Sequence, residues 1–341
     1  MTTYYSKQQR HIAQIFWLTF AILFANISYA QQPSPATNSQ PGDLPIMKVE
    51  TPDQQLFFCT TRIEAKSADG KKRGLGTGFV FSYEVEGQFN PPHKAPEIPF
   101  IVTCRHVVNG FASATFSFVQ NKDGKPNLGQ KCEVAVPNLQ DLVFYNPDPK
   151  IDVALIPLAP ILRYFESTGQ KPFFVKLNKD LVPSQKAAED LSAIQSIVFV
   201  GYPYGIHDEI NLLPIARRGF TASPYIVDFN GLPLFLIDAS VFPGSSGSPV
   251  MVLDQGSYSS GNNIVVGNRA YFLGLVDQAY IHTEEGVIKF KPLPTQFLPV
   301  YDEHQYFNLG VVIKAKAILN TISEFMKAHP IPSPSPSVSS H

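Results

Sequence analysis

Hydrophobic and polar positions along this chain alternate in short runs, not in long stripes. β-Branched and aromatic residues gather in short stretches bounded by Gly, Pro, Asn or Asp, the pattern of strands between turns. Such stretches lie at Leu56–Ile63, Gly78–Tyr83, Phe100–Thr103, Ala114–Val119, Cys132–Val136 and Val153–Leu158. They continue at Ser196–Val200, Tyr225–Val227, Leu234–Ile237, Pro249–Leu253, Tyr271–Val276 and Leu309–Ile313. Many short strands between turn signals predict an all-β barrel or sandwich. Helix signals are few. Residues 185–192 suit a short helix, and Ala315–Lys327 carries Ile318, Leu319, Ile322, Phe325 and Met326 on one stripe until Pro330 stops it.

The ends read differently. Residues 1–11 hold Lys7, Arg10 and His11 and no acid, and an apolar stretch from Ile12 to Ile27 leads to Ser28-Tyr29-Ala30. This is the layout of a secretory signal peptide over residues 1–30. With Gln14 and Asn26 inside it, the stretch falls short of the roughly 20 apolar residues of a membrane span. The expectation is a secreted or periplasmic protein with no stable membrane span after cleavage. Residues 31–46 read as a disordered linker, 47–328 as the folded body and 329–341 as a disordered tail. Loops at 82–99, 256–268 and 283–307 are long enough to border a site.

Composition narrows the function. Charged residues are 16% of the chain, against about 25% in a typical globular protein. Coiled coils and charge-rich disorder are thereby excluded for most of it. Lys plus Arg is 27 and Asp plus Glu is 28, so no basic field points to nucleic acid. Lys71-Lys72-Arg73 reads as a solvated hairpin turn. The 3 cysteines are too few for a disulfide scaffold and lack the C-x-x-C spacing of a zinc site. An oxidising compartment permits one bond. Cys59 with Cys132 is the preferred pair, because Cys104 lies inside an apolar strand, and no bond at all stays open.

Three motifs carry candidate chemistry. Phe100 to Val108 is an apolar strand ending in His106, which could hold an imidazole at a cleft. Asp152 stands at the head of the hydrophobic run Val153–Leu158, where an acid can be partly buried and aimed at a histidine. Taken singly, each reads first as an ordinary surface or core histidine or a turn aspartate. The third motif, Gly244-Ser245-Ser246-Gly247-Ser248-Pro249, sets a serine between glycines that let backbone N–H groups approach a reacting carbonyl. A plain Gly/Ser turn is its bland alternative. The chain order His, Asp, Ser is that of the chymotrypsin type of triad.

On these residues the chain resembles a trypsin-like serine peptidase, most similar to bacterial Deg/HtrA-type proteases but with no PDZ domain after residue 328. Gly76-Thr77-Gly78-Phe79, Thr103-Cys104-Arg105-His106-Val107 and Asp152-Val153-Ala154-Leu155 match that family's strands. So do Gly201-Tyr202-Pro203-Tyr204-Gly205, Arg218-Gly219, Asp238-Ala239-Ser240-Val241 and Gly274-Leu275-Val276. The resemblance implies two six-stranded antiparallel β-barrels, about 50–160 and 190–314, with the C-terminal helix after them. It implies Ser246 as nucleophile, His106 as general base and Asp152 as its orienter, with the N–H groups of Gly244 and Ser246 as the oxyanion hole. Ser240 and Val241 would line the primary pocket, a modest apolar one. Val276 to Ala279 would pair with an extended substrate, and Asp277 is expected to point to solvent. Protein or peptide substrates are implied, and no metal or organic cofactor. A catalytically silent binding module of the cell envelope is the alternative.

Overall fold

In the computed structural model, which describes residues 47–85, 96–261, 263–282 and 305–330, the alternating runs become strands of three sheets. The proposed signal peptide, the linker, most of the tail and the centres of loops 82–99 and 283–307 lie outside the described residues.

The first sheet holds β1 (Thr60–Lys66), β2 (Arg73–Glu84), β3 (Glu97–Thr103), β4 (Ser113–Lys122), β5 (Lys125–Pro137), β6 (Phe144–Tyr145) and β7 (Ala154–Pro157). Its order is β5-β4-β1-β2-β3-β7-β6, and the short strands β8 (Pro172–Phe173) and β9 (Leu177–Asn178) add to β4 and β2. The sheet thus has nine strands where six were expected. Lys71 and Lys72 sit exposed in the β1–β2 turn.

The second set closes into a six-stranded barrel, β10-β11-β12-β17-β16-β13. Its members are β10 (Ser196–Gly201), β11 (Ile215–Thr221), β12 (Leu234–Asp238), β13 (Pro249–Asp254), β16 (Arg269–His282) and β17 (Gln305–Lys314). Loop 256–268 is a hairpin of β14 (Ser257–Ser260) and β15 (Asn263–Val266).

Period-two alternation explains the cores. Phe79, Phe81, Phe100 and Phe116 are fully buried in the first core, each contributing about 1.5–3 kcal/mol by removal from water. Phe235, Ile237, Val250, Leu273 and Val312 fill the second barrel. Phe272 of β16 lies not in its own barrel's core but in the first core, where it meets Phe79 edge-on at 5.2 Å.

Among the described residues, the α-helices α1 (Pro52–Leu56), α2 (Arg105–Val108), α3 (Ala159–Ser167) and α4 (Gln185–Glu189) are short, and α5 (Ala315–Ala328) is the longest. Helix α5 buries Ile318 and Ile322 and returns to the first sheet. Phe325 meets Phe100 at 5.0 Å and Phe144 at 5.4 Å, and Asn146 Nδ2 donates to Thr321 Oγ1 at 2.7 Å.

Several expectations are corrected. The expected strand at Leu56–Ile63 is split between α1 and β1, since Pro52 starts a helix just upstream. Tyr225–Val227 is a turn, not a strand; the Tyr225 ring packs on Phe235 at 5.2 Å instead of pairing its backbone. Helix α3 follows an unread signal, Pro160 in its first turn. The Cys59–Cys132 disulfide is not formed: Cys59, Cys104 and Cys132 are all buried free thiols.

Candidate active site

Strand β3 ends at Thr103, and His106 stands on the single turn α2 beyond it, not on the strand itself. Val107 and Val108 bury the other face of that turn and leave the His106 side chain half-exposed. The Asp152 segment, just before β7, is laced to it. Arg105 N–H donates to the Asp152 carbonyl at 3.3 Å, and the Arg105 guanidinium bonds the Asn146 carbonyl. The Asp152 carboxylate receives two donors, the His106 backbone N–H on Oδ1 at 3.0 Å and His106 Nδ1 against Oδ2 at 2.6 Å.

These contacts set the charges. Burial works against charge on His106, but the Asp152 bond and charge outweigh it and raise the imidazole above its usual 6.5. Burial likewise opposes charge on Asp152, and the His106 contacts outweigh it and hold the carboxyl low. An imidazole tied at Nδ1 offers Nε2 to the cleft as a proton acceptor.

The serine lies in the turn between β12 and β13. Ser245 and Ser248 are buried with unpartnered hydroxyls, whereas Ser246 is partly exposed and so available to a substrate. No hydrogen bond joins its Oγ to the imidazole, a common looseness before substrate binds.

The backbone around Ser246 is fixed at its carbonyls. Pro243 C=O accepts from Tyr204 N–H at 2.6 Å, and Ser245 C=O from Ser248 N–H at 3.0 Å. A trans peptide points its N–H opposite its C=O. The N–H groups of Gly244 and Ser246 therefore face away from those anchors, on one stretch of the loop, as two donors without a backbone partner among the described residues. Gly244 has φ +90°, and a Cβ there would stand 2.4 Å from the Tyr202 carbonyl oxygen. Only glycine suits that position. Beside it, Tyr204 packs on Phe242 at 5.6 Å, and Arg217 lies over the Phe242 ring at 4.7 Å.

Thr77 of β2 joins the loop to the first sheet with every polar atom it has. Its N–H donates to Ser246 C=O at 2.9 Å and its hydroxyl to Gly244 C=O at 2.8 Å. The hydroxyl also accepts from Tyr202 N–H at 3.1 Å, and its carbonyl accepts from Thr103 Oγ1 at 2.8 Å. Sequence reasoning quoted Thr77 and Tyr204 within motifs and gave neither a task.

The residues assigned to substrate sit in different settings. Ser240 is exposed, with Oγ donating to Asn308 Oδ1 at 3.4 Å. Val241 is buried in the second core instead of lining an open wall. Val276 is fully buried, and its carbonyl is taken by Gly247 N–H at 2.7 Å and Cys104 Sγ at 3.3 Å. Asp277 does not point to solvent: only 8% exposed, its Oδ1 lies 3.9 Å from His106 Nδ1.

The donor atoms of Cys104, His106 and Asp277 lie within 4.8 Å of one another. Burial, with the Asp277 and Asp152 charges, pushes the Cys104 thiol well up, which works against the thiolate a metal needs.

Comparison with solved structures finds the Rv3671c protease in its inactive form, at 18% identity over 82% of this chain and 98% of that one, with a TM-score of 0.36. Its active form, from M. tuberculosis, also matches at 18% identity, over 88% and 97%, with a TM-score of 0.38. No curated protein matches the chain. The trypsin-like peptidase domain matches residues 76–258, a span that holds His106, Asp152 and Ser246. A β-rich fold with a closed six-stranded barrel and this match over more than half of its residues make the chain a member of the trypsin-like peptidase domain family.

Proposed function

We propose that the protein is a serine endopeptidase that works outside the cytoplasm, secreted or periplasmic, and hydrolyses peptide bonds through an acyl-enzyme. The peptidase body spans residues 47–328, preceded by a signal peptide and a linker. Ser246 Oγ attacks the scissile carbonyl while His106 Nε2 takes its proton. The developing oxyanion is held by the Gly244 and Ser246 N–H groups, and loss of one such donor costs roughly 2.7–4 kcal/mol. His106 then hands its proton to the leaving amine, and the acyl-enzyme is hydrolysed by water activated at the same imidazole. Asp152 holds the His106 tautomer and stabilises the imidazolium.

The observation that carries this reading is the pairing of a 2.6 Å His106–Asp152 contact with a partly exposed Ser246 whose own N–H and that of Gly244 have no backbone partner among the described residues. Asp277 is turned away from any role as a pocket carboxylate, which favours a small or medium apolar residue over a basic one at the cleavage site. The test is fluorophosphonate labelling of the wild-type protein beside Ser246→Ala. Labelling of the first and not the second is expected. Absence of labelling in folded wild-type protein would favour the silent binding module.

A further inference from the structure

The outer face of the first sheet carries a cleft that the peptidase scheme does not use. Its floor follows from strand register. Ile63 fills the first core, so Thr60 and Arg62 share the opposite face of β1. Arg62 pairs with Ser117, Ser117 with Glu133, and Val119 with Lys131, and residues paired across strands project from the same side. Phe57, Phe58 and Phe173 of β8 border this floor. The β10–β11 connection adds Tyr202, His207 and Leu212. The space between them is about 570 Å³, including the part open to solvent, and none of His106, Asp152 and Ser246 lines it.

We propose that this cleft is a binding site for a small, uncharged molecule with an aromatic body and a carbonyl oxygen. The site is separate from the cleavage site and goes beyond the peptidase reading.

Unused donors call for the carbonyl. Thr60 Oγ1 and Arg62 Nε are both buried with no partner among the described residues. Thr60 is only 5% exposed and lines the cleft. A buried donor without an acceptor is costly to the fold. The rest of the Arg62 fork is engaged: one terminal nitrogen pairs with Glu64, and the other lies 3.3 Å from the His207 ring. A carbonyl oxygen has two lone pairs and so matches two donors.

The charges favour a neutral ligand. Arg62 faces Glu64, and Lys131 Nζ donates to Glu133 Oε2 at 2.9 Å, with Ser117 Oγ donating to the same oxygen at 3.1 Å. The Lys131 bond holds the Glu133 carboxyl below its usual range, so that pair is ionised. Each of these cations is already matched by a carboxylate. An anion entering the cleft would meet two carboxylates and no unmatched lysine or arginine.

The opposite wall suits a ring. Phe58 meets Phe173 edge-on at 5.2 Å, and Val119, the strand partner of Phe173, is buried beside them. Another aromatic ring can extend this cluster by its face or its edge. A concave, largely apolar space with a few converging polar groups is the usual form of a small-molecule site.

Benzamide has the required chemistry, and benzoate keeps the ring and adds a charge. The test titrates each into full-length wild type, Thr60→Ser and Thr60→Val near neutral pH, following the Arg62 Nε–H and Phe173 ring signals by NMR. Benzamide should move both signals saturably in wild type and in Thr60→Ser, which keeps the hydroxyl. Thr60→Val should weaken it about two- to tenfold, the size of one neutral hydrogen bond. Benzoate should bind more weakly than benzamide. Where Thr60→Val fails to fold, Arg62→Lys keeps the charge beside Glu64, removes Nε and should weaken benzamide similarly at the Phe173 signal. Unmoved signals would overturn the proposal, as would equal affinity in wild type and the weakened variants. Benzoate binding more tightly than benzamide would overturn the neutral class. Shifts confined to the surroundings of Ser240 would place benzamide in the primary pocket and overturn the site. The readout is binding alone, so it stands apart from whether Ser246 cuts.

Discussion

The Thr77 hydroxyl and the Gly244 carbonyl, 167 positions apart in the chain, are joined at 2.8 Å in a fully buried contact. The same hydroxyl accepts from Tyr202 N–H, so one oxygen ties together the two segments that orient the Pro243–Gly244 peptide. Thr77→Val preserves shape and leaves two buried backbone groups unpaired. At about 1–3 kcal/mol for each, the loss should total about 2–6 kcal/mol in urea unfolding. Thr77→Ser should recover most of it.

Gly244→Ala tests the donor that the Tyr204–Pro243 bond aims. A Cβ at φ +90° must move the backbone away from the Tyr202 oxygen, and the N–H moves with it. The expected result is a fall in kcat of about 10²–10³-fold with KM little changed, the size of one lost oxyanion donor. Circular dichroism should remain that of wild type.

The rate should depend on pH through His106. Only the neutral imidazole accepts the serine proton, so kcat/KM rises as pH climbs through the His106 pKa. Because Asp152 outweighs burial and raises that pKa, the midpoint should lie above 6.5. Asp152→Asn removes the raising partner. It should bring the midpoint down and lower kcat by about 10⁴-fold, as loss of the orienting carboxylate does in a triad.

The three buried thiols give a separate test of the fold. Burial pushes Cys59 and Cys104 well up, and all three lack a bonded partner. A thiol reagent should modify none of them in native protein and 3 per chain after denaturation. Reductant should leave Tm unchanged. A Tm that falls on reduction would mean that two of these thiols form a disulfide.

How much of this was legible in the sequence differs from residue to residue. The strands β3, β10 and β12 announce themselves as apolar runs, and His106, Asp152 and Ser246 stand in a telling order within motifs. The apolar pattern alone missed strand β11, which only the resemblance marked at Arg218-Gly219, because the polar residues of Arg217-Arg218-Gly219 break that pattern although they alternate in and out of the surface. The Tyr204–Pro243 anchor is a backbone bond, and any side chains could flank it. Asp277 was misplaced because alternation from Val276 sends it to the opposite face. The bulge that turns it inward depends on β17, more than thirty residues further along the chain. Local pattern carries the elements and the motif residues; it does not carry contacts between distant backbones.

Helix α5 adds a constraint of timing. Thr321 holds Asn146, whose carbonyl receives Arg105, the neighbour of His106. Phe325 packs on strands completed nearly two hundred residues earlier in synthesis. A chain growing from its N-terminus therefore makes His106, Asp152 and Ser246 before it makes the piece that braces the histidine turn. A copy stalled or truncated before Ala315 would carry Ser246, His106 and Asp152 and lack the helix that braces the histidine turn.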